Sequence, residues 1–264
     1  MRMNTAGFTV VVVALLLLGC GPIRPPKDAY QDASTLLSQM NEKRATVKTF
    51  RIAGSIDHIK EQRIRGKAYI FAELPYNLRI DVLSPFGTTL SVLTANREKF
   101  GLSDYKVSRF FTGKPSPCNV AKFVGVALPP EDIITILIGK VPLIDGEQRI
   151  SWDPKGYYVV TLTQNDLEQV LHIGADKTSL PLMRSQVREK GKLIFDVSFD
   201  IWRKVGESYI PYEIRVNMPE DKAELFIQYE EDGVEVNVDL PNDAWDQTVP
   251  DGARLEQLTC DPPH

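Results

Sequence analysis

The chain has 264 residues, of which 43% are hydrophobic, and it carries a formal net charge of −4 at pH 7. That length and hydrophobic content suffice for a buried core, either in one large β domain or in two smaller domains. The net charge is mildly negative, and the basic residues form no stripe along the sequence. This argues against nucleic acid as a partner, because the long-range attraction to phosphates is missing.

The first element is an apolar run that begins at Phe8 and follows a short head whose only charge is Arg2. The run is shorter than the ~20 apolar residues that span a bilayer, so we expect residues 1–19 to be an export signal. Its end, Leu17-Leu18-Gly19-Cys20, resembles the lipobox of bacterial lipoprotein precursors. The resemblance implies cleavage before Cys20 and a lipid on this cysteine, with no other cofactor expected. The alternative is an ordinary secretory signal, or a buried helix, with an accidental cysteine.

A proline-rich segment at residues 20–28 reads Cys-Gly-Pro-Ile-Arg-Pro-Pro-Lys-Asp. Because proline stiffens and extends the backbone, the segment predicts a tether between a membrane and the domain. Gly21 stands where proteobacterial lipoproteins retained in the inner membrane have Asp. By that resemblance, the protein is expected at the periplasmic face of the outer membrane.

Residues 29–258 are expected to form the domain and residues 259–264 a short tail. From Ala29 to about Lys48, apolar residues recur at helical spacing, and the mixed polar face favours a helix packed on its own sheet. From Phe50 the period changes to two, which predicts an antiparallel meander through the first half of the chain.

The alternation breaks at residues 112–117, and a short helix is predicted from Glu131 to Ile138. Pro129 and Pro130 are suited to its first turn. This helix is apolar nearly all round, so a core or a ligand must cover it.

After residue 146 the period of two returns, giving about eleven strands in both halves. So many alternating strands with short turns predict a mainly β (α+β) fold with one curved antiparallel sheet that is apolar on one face.

Residues that could support catalysis or bind a metal are scattered. His58, His172 and His264 are isolated, and neither HExxH nor GxSxG occurs. No enzyme is therefore predicted, although catalysis by residues brought together in space has no sequence signature to exclude it. With Cys20 assigned to lipid, Cys118 and Cys260 are candidates for a disulfide in an exported protein; two separate thiols are the alternative.

A hairpin tip is predicted at Pro85-Phe86-Gly87. There Phe86 either faces water with nothing to bury it or folds back on the sheet.

Three stretches together resemble the LolA/LolB family of lipoprotein carriers and receptors. Ser84-Pro85-Phe86-Gly87-Thr88-Thr89-Leu90 is similar to the Pro-Leu-Gly hairpin of LolB, the outer-membrane lipoprotein that receives other lipoproteins. Phe123-Val124-Gly125-Val126-Ala127-Leu128-Pro129 and Leu137-Ile138-Gly139-Lys140-Val141-Pro142 are similar to the helical insert of that family.

This resemblance implies an incomplete β-barrel around an apolar cavity, with helices as a lid that contains Ile133, Ile134 and Leu137. It also implies a receptor for the acyl chains of lipoproteins, supplied by a periplasmic LolA-like carrier, in which Phe86 contacts the membrane. The alternative from another class is a structural or assembly lipoprotein that uses its sheet to bind proteins and has a filled interior.

Overall fold

The computed structural model describes residues 22–59, 63–124 and 128–259. The predicted export signal, Cys20, Gly21, Cys260 and His264 lie outside these residues. Within the described part, no helix is both long and apolar enough to cross a membrane.

The fold is built on a single sheet of fourteen described strands. Its strands are β1 Thr49–Ile59, β2 Arg63–Glu73, β3 Asn77–Leu83, β4 Thr89–Ala95, β5 Phe100–Asp104, β6 Arg109–Gly113, β7 Glu147–Asp153, β8 Tyr157–Gln164, β9 Leu167–Gly174, β10 Leu182–Glu189, β11 Lys192–Val205, β12 Ser208–Met218, β13 Ala223–Val236 and β14 Arg254–Gln257. The described helices are α1 Ala33–Glu42, α2 Pro117–Val124 and α3 Pro130–Leu137.

The strand order is β14-β6-β5-β4-β3-β2-β1-β13-β12-β11-β10-β9-β8-β7. Two meanders, β1–β6 and β7–β13, are joined where β1 pairs with β13. Every pairing is antiparallel except that of β14 with β6. Since β14 and β7 are the two edges of this order, the sheet is not closed, and the predicted fold class is confirmed.

The strand count differs from the prediction of about eleven because fourteen strands are described. β7 and β14 are largely exposed on both faces, so neither shows the alternation that would reveal it. Conversely, Glu230-Glu231-Asp232, which looks like a hairpin turn in the sequence, lies inside the single strand β13. The register between Ile52 and Gly54 shifts there in a bulge. A Cβ at Gly233 would stand 2.5 Å from the carbonyl oxygen of Ala53, so the bulge requires glycine.

Different turns and contacts lie at the two ends of the sheet. At one end β1, β3, β10 and β12 finish; we call this the Phe86 end, because the β3–β4 turn contains Phe86. At the other end lies the β7–β8 turn, where the Ile23 N–H donates to the Pro154 carbonyl at 2.9 Å. Here the Trp152 indole N–H also donates to the Ile23 carbonyl at 2.8 Å. Ile23, which belongs to the predicted tether, is thus in contact with the domain.

Helix α1 covers the apolar face near β7 and is shorter than the predicted span from Ala29 to Lys48. Asp32 caps it by accepting a hydrogen bond from the Thr35 N–H at 2.7 Å. Leu36, Leu37 and Met40 are buried on its inner side. The helix is therefore packed on its own sheet, as its mixed polar face predicts.

Candidate functional site

An apolar pocket of about 410 Å³ opens at the Phe86 end of the sheet. Its walls are the ends of β9 to β12 on one side and the helical insert on the other. Apolar side chains dominate the lining, among them Val141, Ile144, Ile194, Phe195 and Met218. A site of this size and composition is within the range of small-ligand pockets, which hold apolar groups and a few polar ones.

The chain that follows α3 forms one wall of this pocket, and Gln169 on β9 holds that wall. The Ile144 N–H donates to the Gln169 side-chain oxygen at 2.9 Å. The Gln169 amide group donates to the Pro142 carbonyl at 2.9 Å and to the Ser185 hydroxyl at 3.0 Å. Gln169 is 1% exposed, so these bonds satisfy a buried amide. In the sequence, Gln169 could have been found as a polar residue at a position of β9 whose neighbours on the same face are apolar.

Helix α3 occupies the interior of the sheet. Ile134 and Leu137 are fully buried in the core, and Ile133 packs against it. None of the three lines the 410 Å³ pocket, which lies instead beside the start of the helix at Leu128 and Asp132. Of the two coverings that the sequence left open, a core or a ligand, the core covers Ile134 and Leu137, and a role for the three residues in a lid stays a prediction.

The carboxyl end of α3 is fastened to two strands. The buried Tyr229 hydroxyl donates to the Leu137 carbonyl at 2.8 Å, and burial raises the pKa of Tyr229 well above its usual value. Gly139 ends the helix at φ +76°, and a Cβ there would stand 2.3 Å from the Trp202 ring. Only glycine combines this φ with so close an approach.

A buried arginine, Arg44, supports the same region and had no signal in the sequence. Its guanidinium donates to the Met40 carbonyl at 2.6 Å and the Leu180 carbonyl at 3.2 Å, and it lies 4.4 Å from the Trp202 ring centroid. Burial lowers the pKa of Arg44 to about 9, which still leaves it charged at pH 7. The charge lies at the carboxyl end of α1, where the helix dipole favours a cation. Arg44 thus links α1 to the strand residue against which Gly139 packs.

The side chain of Phe86 is 95% exposed at the tip of the β3–β4 turn. The Gly87 N–H donates to the Ser84 carbonyl at 2.9 Å, and Gly87 has φ +83°, so Pro85 and Phe86 lie at the tip of a tight turn. The alternative in which Phe86 folds back on the sheet does not occur in the structure.

A second turn at the Phe86 end also exposes apolar side chains. Tyr105 and Val107, between β5 and β6, are 47% and 55% exposed. The Tyr105 N–H donates to the Leu90 carbonyl at 3.1 Å, which places this turn beside the strand that follows the Phe86 turn. The sequence did not reveal it because β6 was not predicted.

Cys118 lies in α2 and is disulfide-bonded. Its predicted partner Cys260 and the predicted lipid site Cys20 lie outside the described residues. The last described residues run toward α2, since the Leu258 N–H donates to the Thr112 carbonyl at 2.7 Å. The pairing of Cys118 with Cys260 stays a prediction that this contact favours.

The two histidines of the described residues lie in different parts of the sheet. His58 is on β1 and His172 on β9, five strands apart in the sheet order. Within residues 22–59, 63–124 and 128–259, no cluster of three or more His, Cys, Asp or Glu side chains could hold a metal ion.

Together these features define a class of protein: an open antiparallel half-barrel with a helical insert in its interior and an apolar pocket at one end. The solved structures with this fold include a DUF1329 family protein from Desulfovibrio piger, with a TM-score of 0.54 and 13% identity over 82% of this chain and 98% of that one. A LolA superfamily protein, NE2245 from Nitrosomonas europaea, gives the same TM-score and identity over 81% of this chain and 97% of that one. No protein-family model matches the sequence, and no curated protein matches it either.

The chain therefore has the fold of a LolA superfamily protein, which is the fold that the resemblance implies.

Proposed function

We propose that this chain is a non-enzymatic receptor or carrier for the acyl chains of lipoproteins. In this proposal a lipid on Cys20 holds it at the periplasmic face of the outer membrane, and a periplasmic LolA-like protein supplies the cargo. The fold supports the proposal, because it is shared with a LolA superfamily protein.

The observation that carries the proposal is that an apolar pocket and exposed apolar turns share one end of the sheet. The pocket lies at the ends of β10 and β12, and Phe86, Tyr105 and Val107 protrude from turns at the same end. Each methylene that moves from water into an apolar pocket contributes about 0.8 kcal/mol. Apolar turns at the end of the sheet where the pocket opens would contact a bilayer and bring the opening toward it, which shortens the path of an acyl chain through water.

The size of the pocket sets how much of an acyl chain it can hold. At about 410 Å³ it is at the low end of the range for ligand sites, about 300–1,000 Å³. Ile134 and Leu137 are fully buried in the core, and the carboxyl end of α3 is fastened by Tyr229. A longer acyl chain would therefore have to displace the amino-terminal part of α3, which lies beside the pocket at Asp132.

The test is transfer of an acylated lipoprotein to vesicles by the folded domain and its Phe86→Glu variant. Since Phe86 is 95% exposed, the substitution should leave the unfolding midpoint unchanged and reduce transfer severalfold. The matched control is Ile201→Glu, because Ile201 is also exposed but lies toward the other end of β11. Unchanged transfer by folded Phe86→Glu protein would remove the role given to the turn.

The second candidate, an assembly lipoprotein with a filled interior, is favoured by one observation. Ile134, Leu137 and Ile138 of the insert are at most 1% exposed, so the interior beneath α3 is occupied by the chain itself. Native mass spectrometry of protein mixed with an acylated peptide separates the two candidates. A bound acyl peptide supports the carrier, and a complete lack of binding supports the assembly protein.

A further inference from the structure

The pocket has an acidic rim around its apolar lining. Four of its lining residues are ionisable, and all four are acids: Asp132, Glu189, Glu220 and Asp221. Glu189 ends β10, and Glu220 and Asp221 lie in the β12–β13 turn, so three carboxylates from two turns face one opening. No basic residue lines this pocket, although the Lys192 ammonium pairs with Glu220 from outside at 2.7 Å.

Asp132 extends the negative charge to the other side of the opening. It lies in the first turn of α3, is half-buried, and its carboxylate makes no ion pair with a described residue. Burial raises the pKa of the Asp132 carboxyl, and the neighbouring Glu131 raises it further. The helix dipole accounts for an acid in that turn. It does not account for the acids on the two opposite turns.

A ligand in this pocket must therefore bury an apolar chain against residues such as Ile194 and Phe195. The polar end of that ligand must lie among the carboxylates. An anionic end would be repelled there, and its carboxylate or phosphate would find no basic partner among the lining residues. An ammonium or guanidinium group would be attracted by several carboxylates at once.

We propose that the pocket selects acylated peptides whose residues next to the acyl chain are positively charged. The proposal rests on the proposed function, because it names the chemistry of the cargo that the carrier would accept. Charge complementarity at the rim and apolar burial below it contribute separately to the free energy of binding, so each contribution can be measured by itself.

The probes are three synthetic peptides with the same N-terminal palmitoyl chain, followed by Gly-Lys-Lys, Gly-Ser-Ser or Gly-Glu-Glu. Their binding to the domain is measured below the aggregation concentration of each peptide, at low and at high salt. We expect the basic peptide to bind about tenfold more tightly than the acidic one at low salt, a difference of about 1.4 kcal/mol. High salt should shrink that ratio, because the rim carboxylates are solvated.

The decisive variant is Glu189→Gln/Glu220→Gln/Asp221→Asn, which neutralises the exposed rim. Its control is Glu98→Gln/Glu207→Gln/Asp251→Asn, which removes the same number of charges at exposed sites that do not line the pocket. The rim variant should bind the serine peptide as the wild type does and lose the preference for lysine. Because it leaves the Lys192 ammonium unpaired, it should bind the acidic peptide at least as well as the basic one. The control should keep the preference for lysine.

The outcomes separate the two proposals. If the domain binds none of the peptides, the carrier function fails and the selectivity fails with it. If all three bind equally to the wild type, or the acidic peptide binds best, the selectivity is overturned while the carrier function stands. A preference for lysine that survives in the rim variant also overturns it, because the charge effect would then belong to the whole molecule.

Discussion

From its hydrogen bonds to Pro142 and Ile144, we predict that the Gln169 side chain holds the pocket wall in place. In Gln169→Leu three bonds are lost, and the Ile144 N–H, the Pro142 carbonyl and the buried Ser185 hydroxyl lose this partner. Each such bond contributes about 0.5–1.5 kcal/mol net, and a buried unpaired group costs about 1–3 kcal/mol. Because Pro142 is exposed to water and can find a new partner, we expect a loss of about 2–4 kcal/mol.

Urea unfolding followed by tryptophan fluorescence measures this loss, and amide hydrogen exchange at Ile144 localises it. The control is Gln148→Leu, at an exposed position of β7, which should change stability by less than about 0.5 kcal/mol. If Gln169→Leu is as stable as the control and Ile144 exchanges no faster, Gln169 does not hold the wall.

Two further substitutions test the supports of the helices. Gly139→Ala should cost about 2–4 kcal/mol in urea unfolding, because its Cβ would collide with Trp202 at positive φ. Gly191→Ala, at φ +78° with open space, should cost about 1 kcal/mol, and equal losses would contradict the collision. Hydrogen bonds from Ser34 and Thr35 lower the pKa of Asp32 to about 2, so its cap stabilises α1 above pH 4 and is lost as the pH falls toward 2. An asparagine caps a helix without titrating, so the melting temperature of Asp32→Asn should fall less than that of the wild type between pH 4 and pH 2. Equal falls in melting temperature in the two proteins would refute the effect.

The features that the sequence predicted well are those with a short-range cause. Alternation of apolar residues placed most strands, since each strand buries one face. The turn at Pro85-Phe86-Gly87 followed from local backbone preferences. The edge strand β14 had no such signal, because its side chains are largely exposed and its place is set by pairing with β6.

The pocket could not be predicted because its parts meet only in three dimensions. Asp132 and Glu220 are far apart in the chain and are brought to one opening by the sheet order. Whether a core or a ligand covers Ile134 and Leu137 could not be predicted for a related reason. A helix that is apolar all round must be covered, but only the packing shows that the core of the protein covers it.

The position of Ile23 constrains how an anchored domain would present its pocket. A lipid on Cys20 would lie three residues before Ile23, which is bonded at the β7–β8 turn, while Phe86 lies at the other end of strands such as β1, about 36 Å long. In the proposed function, with Ile23 bonded, the Phe86 end where the pocket opens would lie away from the membrane that holds the lipid. Contact of Phe86 with that same membrane requires the chain around Ile23 and Asp28 to detach. This segment is held there by three hydrogen bonds, the third from the Lys177 ammonium to the Asp28 carbonyl at 2.8 Å, and by the exposed ion pair of Asp28 with Lys177. A hydrogen bond contributes about 0.5–1.5 kcal/mol net, and an exposed ion pair adds little. In the proposed function, reception with the segment bonded and delivery with it detached would therefore require only these weak contacts to break, so one lipid anchor could serve both steps.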